Sequence, residues 1–141
     1  RTGAEFYYTT MDAQHRPDSV WRHVMGQGQQ QDEFLFTEKD ELFWVELDKT
    51  CSGRFLVINT SSSTTSEVLF LDLEAPASAQ TLLETRLKVV QPRQVDHRYR
   101  VEHWGEDLYI ITNADGAINS KLVKTPITAP DRSNWRDVLP Y

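Results

Sequence analysis

The chain has 141 residues, of which 39% are hydrophobic and 26% are charged, an ordinary composition for a globular protein with its own core. Its 15 Lys and Arg residues and 21 Asp and Glu residues give a formal charge of −6. Because no run of basic residues occurs, the sequence argues against nucleic acid or an anionic membrane surface as a partner.

The cysteine count narrows the chemistry further. Cys51 is the only cysteine, so an internal disulfide is impossible and a cysteine-based zinc site is not expected. No apolar stretch approaches the roughly 20 residues of a membrane helix, and no signal-peptide pattern opens the chain. We therefore expect no membrane contact, no metal, no cofactor and a reducing compartment.

The first third of the chain, residues 1–41, predicts three short strands. These are residues 6–10, 19–24 and 33–37, each rich in aromatic and β-branched side chains and separated by polar loops. Residues 27–31 are polar and predict a surface loop. An opening strand present in the later units is missing from this one.

The middle third, residues 42–97, predicts a complete unit of four strands. They fall at residues 42–48, 54–60, 67–73 and 86–91. Residues 82–87 could form one helical turn at most, and residues 74–80 predict a surface loop.

The last third, residues 98–141, repeats this pattern. Strands are predicted at residues 99–104, 107–113 and 121–126, with residues 135–139 as a possible last strand. Matching strands begin at Phe55 and Leu108, a repeat of roughly 50 residues. Four short antiparallel strands per repeat are typical of a propeller blade, so we predict an all-β chain of about three blades. A β-sandwich is the alternative, but it would not need the repeat.

The motifs of catalysis are missing from the sequence. A hydrolase serine on a strained turn requires Gly-x-Ser-x-Gly, and the serines of residues 61–63 have no glycine beside them. His97 and His103 are too poorly spaced for a metal site, and we expect all four histidines to be strand or loop residues with satisfied ring nitrogens. The four tryptophans could form a peptide-binding platform, but packing between sheets is the favoured interpretation.

Five segments resemble the oligopeptidase B branch of the prolyl oligopeptidase family. They are WRHVMG at residues 21–26, DEFLFTEKDE at 32–41, KTCSGRFL at 49–56, TTSEV at 64–68 and TNADGAINSKL at 112–122. Their order and spacing extend over nearly the whole chain. The resemblance implies a seven-bladed β-propeller of a two-domain cytoplasmic serine peptidase, with this chain as about three of its blades.

The resemblance also implies a function. The parent would cleave short peptides after Arg or Lys, and its propeller would control access to the active site. The catalytic triad would lie in an α/β-hydrolase domain outside this chain, so no catalytic residue is predicted here. In relatives, the loop after the second strand of a corresponding blade approaches the substrate. The matching loop comprises Ser61, Ser62, Ser63, Thr64 and Thr65.

Two other functional classes fit the same residues. The chain could be a stand-alone propeller-like module that binds a partner through one face, or part of a family member that has lost its catalytic serine. An open set of blades would leave two apolar faces uncovered, so we also expect the isolated chain to self-associate or to be marginally stable.

Overall fold

The computed structural model describes residues 4–75 and 81–139, which form eleven β-strands. The strands are β1 (Glu5–Met11), β2 (Pro17–Val24), β3 (Glu33–Thr37), β4 (Trp44–Lys49), β5 (Phe55–Ser61), β6 (Ser66–Asp72), β7 (Lys88–Val89), β8 (Tyr99–Trp104), β9 (Asp107–Thr112), β10 (Lys121–Pro126) and β11 (Arg136–Leu139). The helical segments within the described residues are single 3-10 turns, and none of them is long enough to cross a membrane.

The strands form three antiparallel sheets in which neighbours in sequence are neighbours in space. The first sheet has the order β1-β2-β3, the second β4-β5-β6-β7 and the third β8-β9-β10-β11. This arrangement confirms the prediction of an all-β chain built from repeated antiparallel units. The possible last strand of the third unit is present as β11, which pairs with β10.

The second sheet is buried on both faces, which explains its uninterrupted apolar strands. In β5, Phe55 and Val57 face the third sheet, whereas Leu56 and Ile58 face the first. Successive side chains of a strand point to opposite faces, so a run of four buried residues requires cover on both sides. The sheets therefore stack face to face, as neighbouring blades of a propeller do.

Two hydrophobic cores hold the three sheets together. The core between the second and third sheets contains Phe55, Val57, Val68, Phe70, Val90, Tyr99, Leu108, Ile110 and Val123. The core between the first and second sheets contains Val20, Leu35, Val45, Leu56, Ile58, Leu69, Leu71 and Leu83.

The fourth strand of the second sheet is shorter than the sequence predicts. The prediction covers residues 86–91, but β7 pairs with β6 only at Lys88 and Val89. The preceding residues, Leu83–Arg86, form a 3-10 turn that buries Leu83 in the core between the first and second sheets. The Arg86 guanidinium also donates to the carbonyl of Asp72 at 3.0 Å, and these contacts hold the chain out of the strand conformation.

The loop predictions have mixed outcomes. Gln29–Gln31, within the polar segment predicted as a surface loop, forms a 3-10 turn whose residues are exposed. In the loop predicted at residues 74–80, residues 76–80 lie outside the described part of the chain.

Candidate functional site

Five connecting segments meet at one end of the three sheets, which we call the loop end. They are the turn at residues 12–16, the connection at 38–43, the loop at 62–65, the connection at 90–98 and the loop at 113–120. The opposite end, which we call the turn end, carries the tight turns of the sheets, such as those at Gly53 and Gly105.

Left-handed backbone conformations distinguish the two ends. At the turn end they are adopted by glycines, including Gly53 (φ 75°) and Gly105 (φ 63°). Among residues 4–75 and 81–139, the non-glycine residues with positive φ all lie at the loop end: His15, Asp96, Asp115 and Ser120. Such conformations cost free energy for residues with a Cβ, and they cluster at sites of function more often than elsewhere.

The loop end also presents isolated apolar side chains to solvent. Leu42 is 74% exposed, Val95 86% and Ile118 85%. Each stands on a different connecting segment, so together they form a discontinuous apolar surface at one end of the stack. Exposed carboxylates of Asp40, Glu41 and Asp96 lie on the same segments.

The predicted substrate-proximal residues form a tight turn at this end. The Ser62 amide donates to the Thr65 carbonyl at 2.9 Å, and the Ser62 hydroxyl accepts from the Thr65 amide at 3.2 Å. Ser61 is the last residue of β5 and is exposed, as are Ser63 and Thr64, whereas Thr65 is buried. The hydroxyls available to a bound molecule are therefore those of Ser61, Ser63 and Thr64.

The turn at residues 62–65 is fixed by the neighbouring connection. The Asp96 amide donates to the Thr65 hydroxyl at 3.0 Å, and the Ser66 amide donates to the His97 carbonyl at 3.0 Å. Ser66 also bonds Tyr99 twice, accepting from its amide at 2.8 Å and donating to its carbonyl at 3.1 Å.

Two arginines hold the connection at residues 38–43. Arg16 is buried and donates to the carbonyls of Glu38 (3.1 Å), Asp40 (2.8 Å) and Phe43 (2.5 Å). Arg93 pairs with the carboxylates of Glu38 and Glu67, the latter at 3.1 Å. Burial lowers the pKa of Arg93, but its bonds to the two carboxylates raise it more, so the guanidinium remains charged.

A cleft of about 670 Å³ opens where the connection at residues 90–98 meets the loop before β11. Asp115 lies in it between Arg132 (2.8 Å) and Lys121 (3.0 Å), and Lys121 also contacts Asp137 at 3.1 Å. Bonds from Arg132 and Lys121 lower the pKa of the Asp115 carboxyl. These groups neutralise one another, so the cleft is an ionic junction of the third sheet.

The buried His97 departs from the prediction of satisfied ring nitrogens. His97 bonds the Thr112 hydroxyl through Nε2 at 2.8 Å, but its buried Nδ1 has no partner among the described residues. Burial and the nearby Arg132 lower the pKa of His97, which favours the neutral form of its ring. His23 Nδ1 bonds Asp32 at 2.6 Å.

In the part of the chain that the structure describes, one serine hydroxyl bonds a histidine ring, but the other contacts of this pair do not resemble a catalytic arrangement. His103 Nδ1 lies 2.6 Å from the Ser52 hydroxyl, and His103 Nε2 donates to the Gly105 carbonyl at 2.7 Å. The Ser52 hydroxyl also bonds the Thr50 hydroxyl at 2.8 Å and accepts from the Arg54 amide at 3.3 Å. No carboxylate of the described residues bonds the ring, and the pair joins the second sheet to the third at the turn end.

The tryptophans divide between packing and exposure. Trp135 packs against Tyr99 and His97, with ring centroids 5.7 Å apart in each case. Trp21 packs edge-on against Phe34. Trp44 and Trp104 are exposed, so packing within this chain does not account for them. Within residues 4–75 and 81–139, no group of three or more His, Cys, Asp or Glu side chains could hold a metal ion.

The stacked antiparallel sheets, with their connecting segments at one end, define this chain as a segment of a β-propeller. The family model for the prolyl oligopeptidase N-terminal beta-propeller domain matches residues 1–141. The chain belongs to the prolyl oligopeptidase family, within the propeller domain of its members.

Individual relatives support the oligopeptidase B branch that the sequence suggested. Protease 2 of Moraxella lacunata is 38% identical over 141 residues, and prolyl endopeptidase-like of Homo sapiens is 34% identical over 128. The match to Protease 2 covers all of this chain but only 19% of that relative's length. The match to the human relative covers 91% of this chain and 16% of that relative's length.

Solved structures give the same result. Oligopeptidase B from Trypanosoma brucei, in its closed form with covalently bound antipain, superimposes with a TM-score of 0.86 at 38% identity, covering 97% of this chain and 19% of that one. Oligopeptidase B from Leishmania major superimposes with a TM-score of 0.84 at 38% identity, covering 96% and 18%. The resemblance to the oligopeptidase B branch and the propeller fold, both predicted from the sequence, are confirmed.

Proposed function

We propose that this chain is the propeller segment of a serine endopeptidase that hydrolyses short peptides after basic residues. The observation that carries the proposal is the 38% identity, across essentially the whole chain, to both Protease 2 and oligopeptidase B. The catalytic serine, histidine and carboxylate belong to an α/β-hydrolase domain outside this chain. Serine attack on the peptide carbonyl would proceed through an acyl-enzyme.

In this proposal the propeller controls which peptides reach that domain. Residues 1–41, 42–97 and 98–141 are three consecutive blades, the first of them partial. A rigid stack of sheets excludes folded proteins by size, whereas an extended peptide can pass. The exposed carboxylates of Asp40, Glu41 and Asp96 would attract cationic peptides toward the loop end.

We place the hydrolase domain and the substrate at the loop end. The four non-glycine residues with left-handed backbone at that end support this placement, because such conformations cost free energy and cluster at functional sites. The turn of Ser61, Ser62, Ser63, Thr64 and Thr65 would then lie near the bound peptide. A cytoplasmic location fits the single cysteine, Cys51.

The experiment that tests this function uses the full-length polypeptide that contains the chain. Hydrolysis of a fluorogenic Arg-Arg peptide is compared with that of matched peptides ending in Pro-Pro or Glu-Glu, with and without a serine-directed acylating inhibitor. The proposal expects cleavage after Arg that the inhibitor abolishes. Cleavage only after Pro would contradict the specificity, and no cleavage of any peptide would favour a non-catalytic family member.

A further inference from the structure

We infer that Arg93 is a positioning residue, whose guanidinium locks the connections between neighbouring blades and thereby fixes the substrate-side surface at the loop end. The inference deepens the proposed function and rests on it for the identity of the surface. We call the contacts of this guanidinium with Glu38, Glu67 and Phe43 the Arg93 clamp.

The first half of the clamp ties Arg93 to the second sheet. Arg93 donates to Glu67 on β6 through its backbone amide (2.9 Å), Nε (3.2 Å) and Nη2 (3.1 Å). Nη2 also lies 3.4 Å from the Thr60 hydroxyl at the end of β5. With several bonds to one carboxylate, the position of the guanidinium is fixed relative to the sheet.

The second half of the clamp reaches the connection between the first and second sheets. Arg93 Nη2 bonds the Glu38 carboxylate directly, and the guanidinium carbon lies 3.8 Å from the centroid of the Phe43 ring. The Glu38 side chain is only 8% exposed. A carboxylate this buried is costly without a cation, so Glu38 depends on Arg93 for its place in the structure.

The connection that carries Arg93 also contacts the turn at residues 62–65. Arg93 stands in the connection at residues 90–98, which holds that turn through the Asp96 and His97 bonds described above. On the far side, Arg16 fixes the carbonyls of residues 38–43 to the first sheet. The Arg93 side chain therefore joins the connection at residues 38–43 to the connection at residues 90–98, and the latter in turn holds the turn at residues 62–65.

Lysine could not replace this arginine. The clamp needs several donors in one plane, two carboxylates in reach and a flat cation against an aromatic face, which a guanidinium provides and an ammonium does not. The arrangement therefore predicts that Arg93→Lys keeps the charge but loses much of the positioning.

The test is hydrogen–deuterium exchange on the full-length polypeptide, comparing Arg93→Ala, Arg93→Lys and Arg98→Ala with the wild type. Arg98 lies in the same connection and is exposed, and its side chain has no hydrogen bond to the described residues, so it is the matched control. The reporters are the amides of Glu38, Phe43 and Ser66, each hydrogen-bonded in the loop-end segments. Amides of β9 serve as the internal reference.

We expect roughly tenfold or faster exchange at the three reporters in Arg93→Ala, a smaller acceleration in Arg93→Lys and wild-type rates in Arg98→Ala. The amides of β9 should be unchanged in all of them. Unaltered reporters in both Arg93 variants would overturn the inference. Equal acceleration across all three sheets would also overturn it, because Arg93 would then serve overall stability alone.

Steady-state kinetics separate this inference from the proposed function. If the surface contacts substrate, Arg93→Ala should raise KM for a short Arg-Arg peptide several-fold while kcat changes less. If the Arg93 variants show the local exchange changes but the wild type has no peptidase activity, the clamp is supported and the proposed function is refuted. An active enzyme whose Arg93 variants keep both wild-type exchange and wild-type KM would refute the clamp alone.

Discussion

Tyr99 shows how one side chain can join two sheets. Its ring is buried in the core between the second and third sheets, and its hydroxyl accepts from the Val68 amide at 2.9 Å. The same hydroxyl donates to the Gln91 carbonyl at 2.6 Å, and the Gln91 amide lies 3.1 Å away. Burial raises the pKa of this phenol far above its ordinary value, so it remains a donor at any pH of interest.

Removal of the Tyr99 hydroxyl should therefore be costly. Tyr99→Phe leaves the buried Val68 amide and the partly buried Gln91 carbonyl without their hydroxyl partner, and we expect a loss of about 1–3 kcal/mol in the free energy of unfolding. Chemical denaturation of the full-length polypeptide, monitored by hydrogen–deuterium exchange of the β6 amides, would measure this loss. Tyr109→Phe is the control, because the Tyr109 hydroxyl bonds none of the described residues. Equal losses in both variants would contradict the prediction.

His97 should give the protein a pH dependence with a definite sign. Burial lowers its pKa below the ordinary 6.5, so the unfolded state takes up a proton at a higher pH than the folded state does. Between these two pKa values the unfolded state binds more protons, and the free energy of unfolding falls as the pH falls. Above about pH 7 both states are neutral and His97 contributes nothing.

We expect this loss of stability to begin as the pH falls through 6.5 and to be smaller in His97→Gln, whose amide can still bond Thr112. Melting temperatures of the full-length polypeptide from pH 5 to pH 7.5 would test it, with His15→Asn, in an exposed turn, as the control. Parallel curves for the wild type and His97→Gln would show that His97 does not titrate as argued.

At the scale of elements, the proposed substrate-side role of the turn at residues 62–65 can be tested by adding a positive charge to it. Thr64 is exposed at its tip, so Thr64→Lys adds a cation to the loop end without disturbing the core. If cationic peptides pass this turn, KM for an Arg-Arg peptide should rise roughly fivefold, or about 1 kcal/mol, with little change in kcat.

Gln29→Lys supplies the matched control for that charge. Gln29 is exposed in a 3-10 turn at the turn end, so the same cation is added far from the proposed substrate path. Equal KM values for Thr64→Lys and the wild type, or an equal rise in both variants, would argue against a substrate-side role for the turn.

Much of the element order could be predicted from the sequence because each strand carries its own pattern. The buried runs that begin at Phe55 and Val68 are apolar on both faces, and the glycines at 53 and 105 mark the turns before β5 and β9. The start of β7 could not be predicted, because the 3-10 turn before it depends on where Leu83 packs.

The loop-end interactions were harder to predict because they join residues far apart in sequence. Arg93 contacts Glu38 across 55 residues, and Arg16 contacts Phe43 across 27. In the sequence these are ordinary surface charges, and only the stacking of the sheets brings them together. The unpartnered Nδ1 of His97 likewise depends on tertiary packing. The five residues from Ser61 to Thr65 were identified through family resemblance, and local pattern alone gave them no special chemistry.

At the scale of the whole molecule, the two outer sheets each leave a face uncovered. The outer face of the first sheet carries Phe6 and Phe34, which are 47% and 37% exposed. The outer face of the third sheet carries Trp104 (77%) and Ile111 (54%). In the proposed propeller these faces would pack against further blades, so the apolar side chains would be buried there.

The isolated chain of 141 residues should therefore self-associate. Packing these exposed apolar side chains against a second copy removes apolar area from water, which is favourable. Sedimentation velocity should show species larger than a monomer, in a proportion that rises with protein concentration. Ile111→Lys should shift the distribution toward monomer, whereas Leu82→Lys, at an exposed position outside both faces, should not. A single monomeric species with a sharp, concentration-independent melt would mean that three sheets suffice as a folding unit, and that neighbouring blades are not needed to cover these faces.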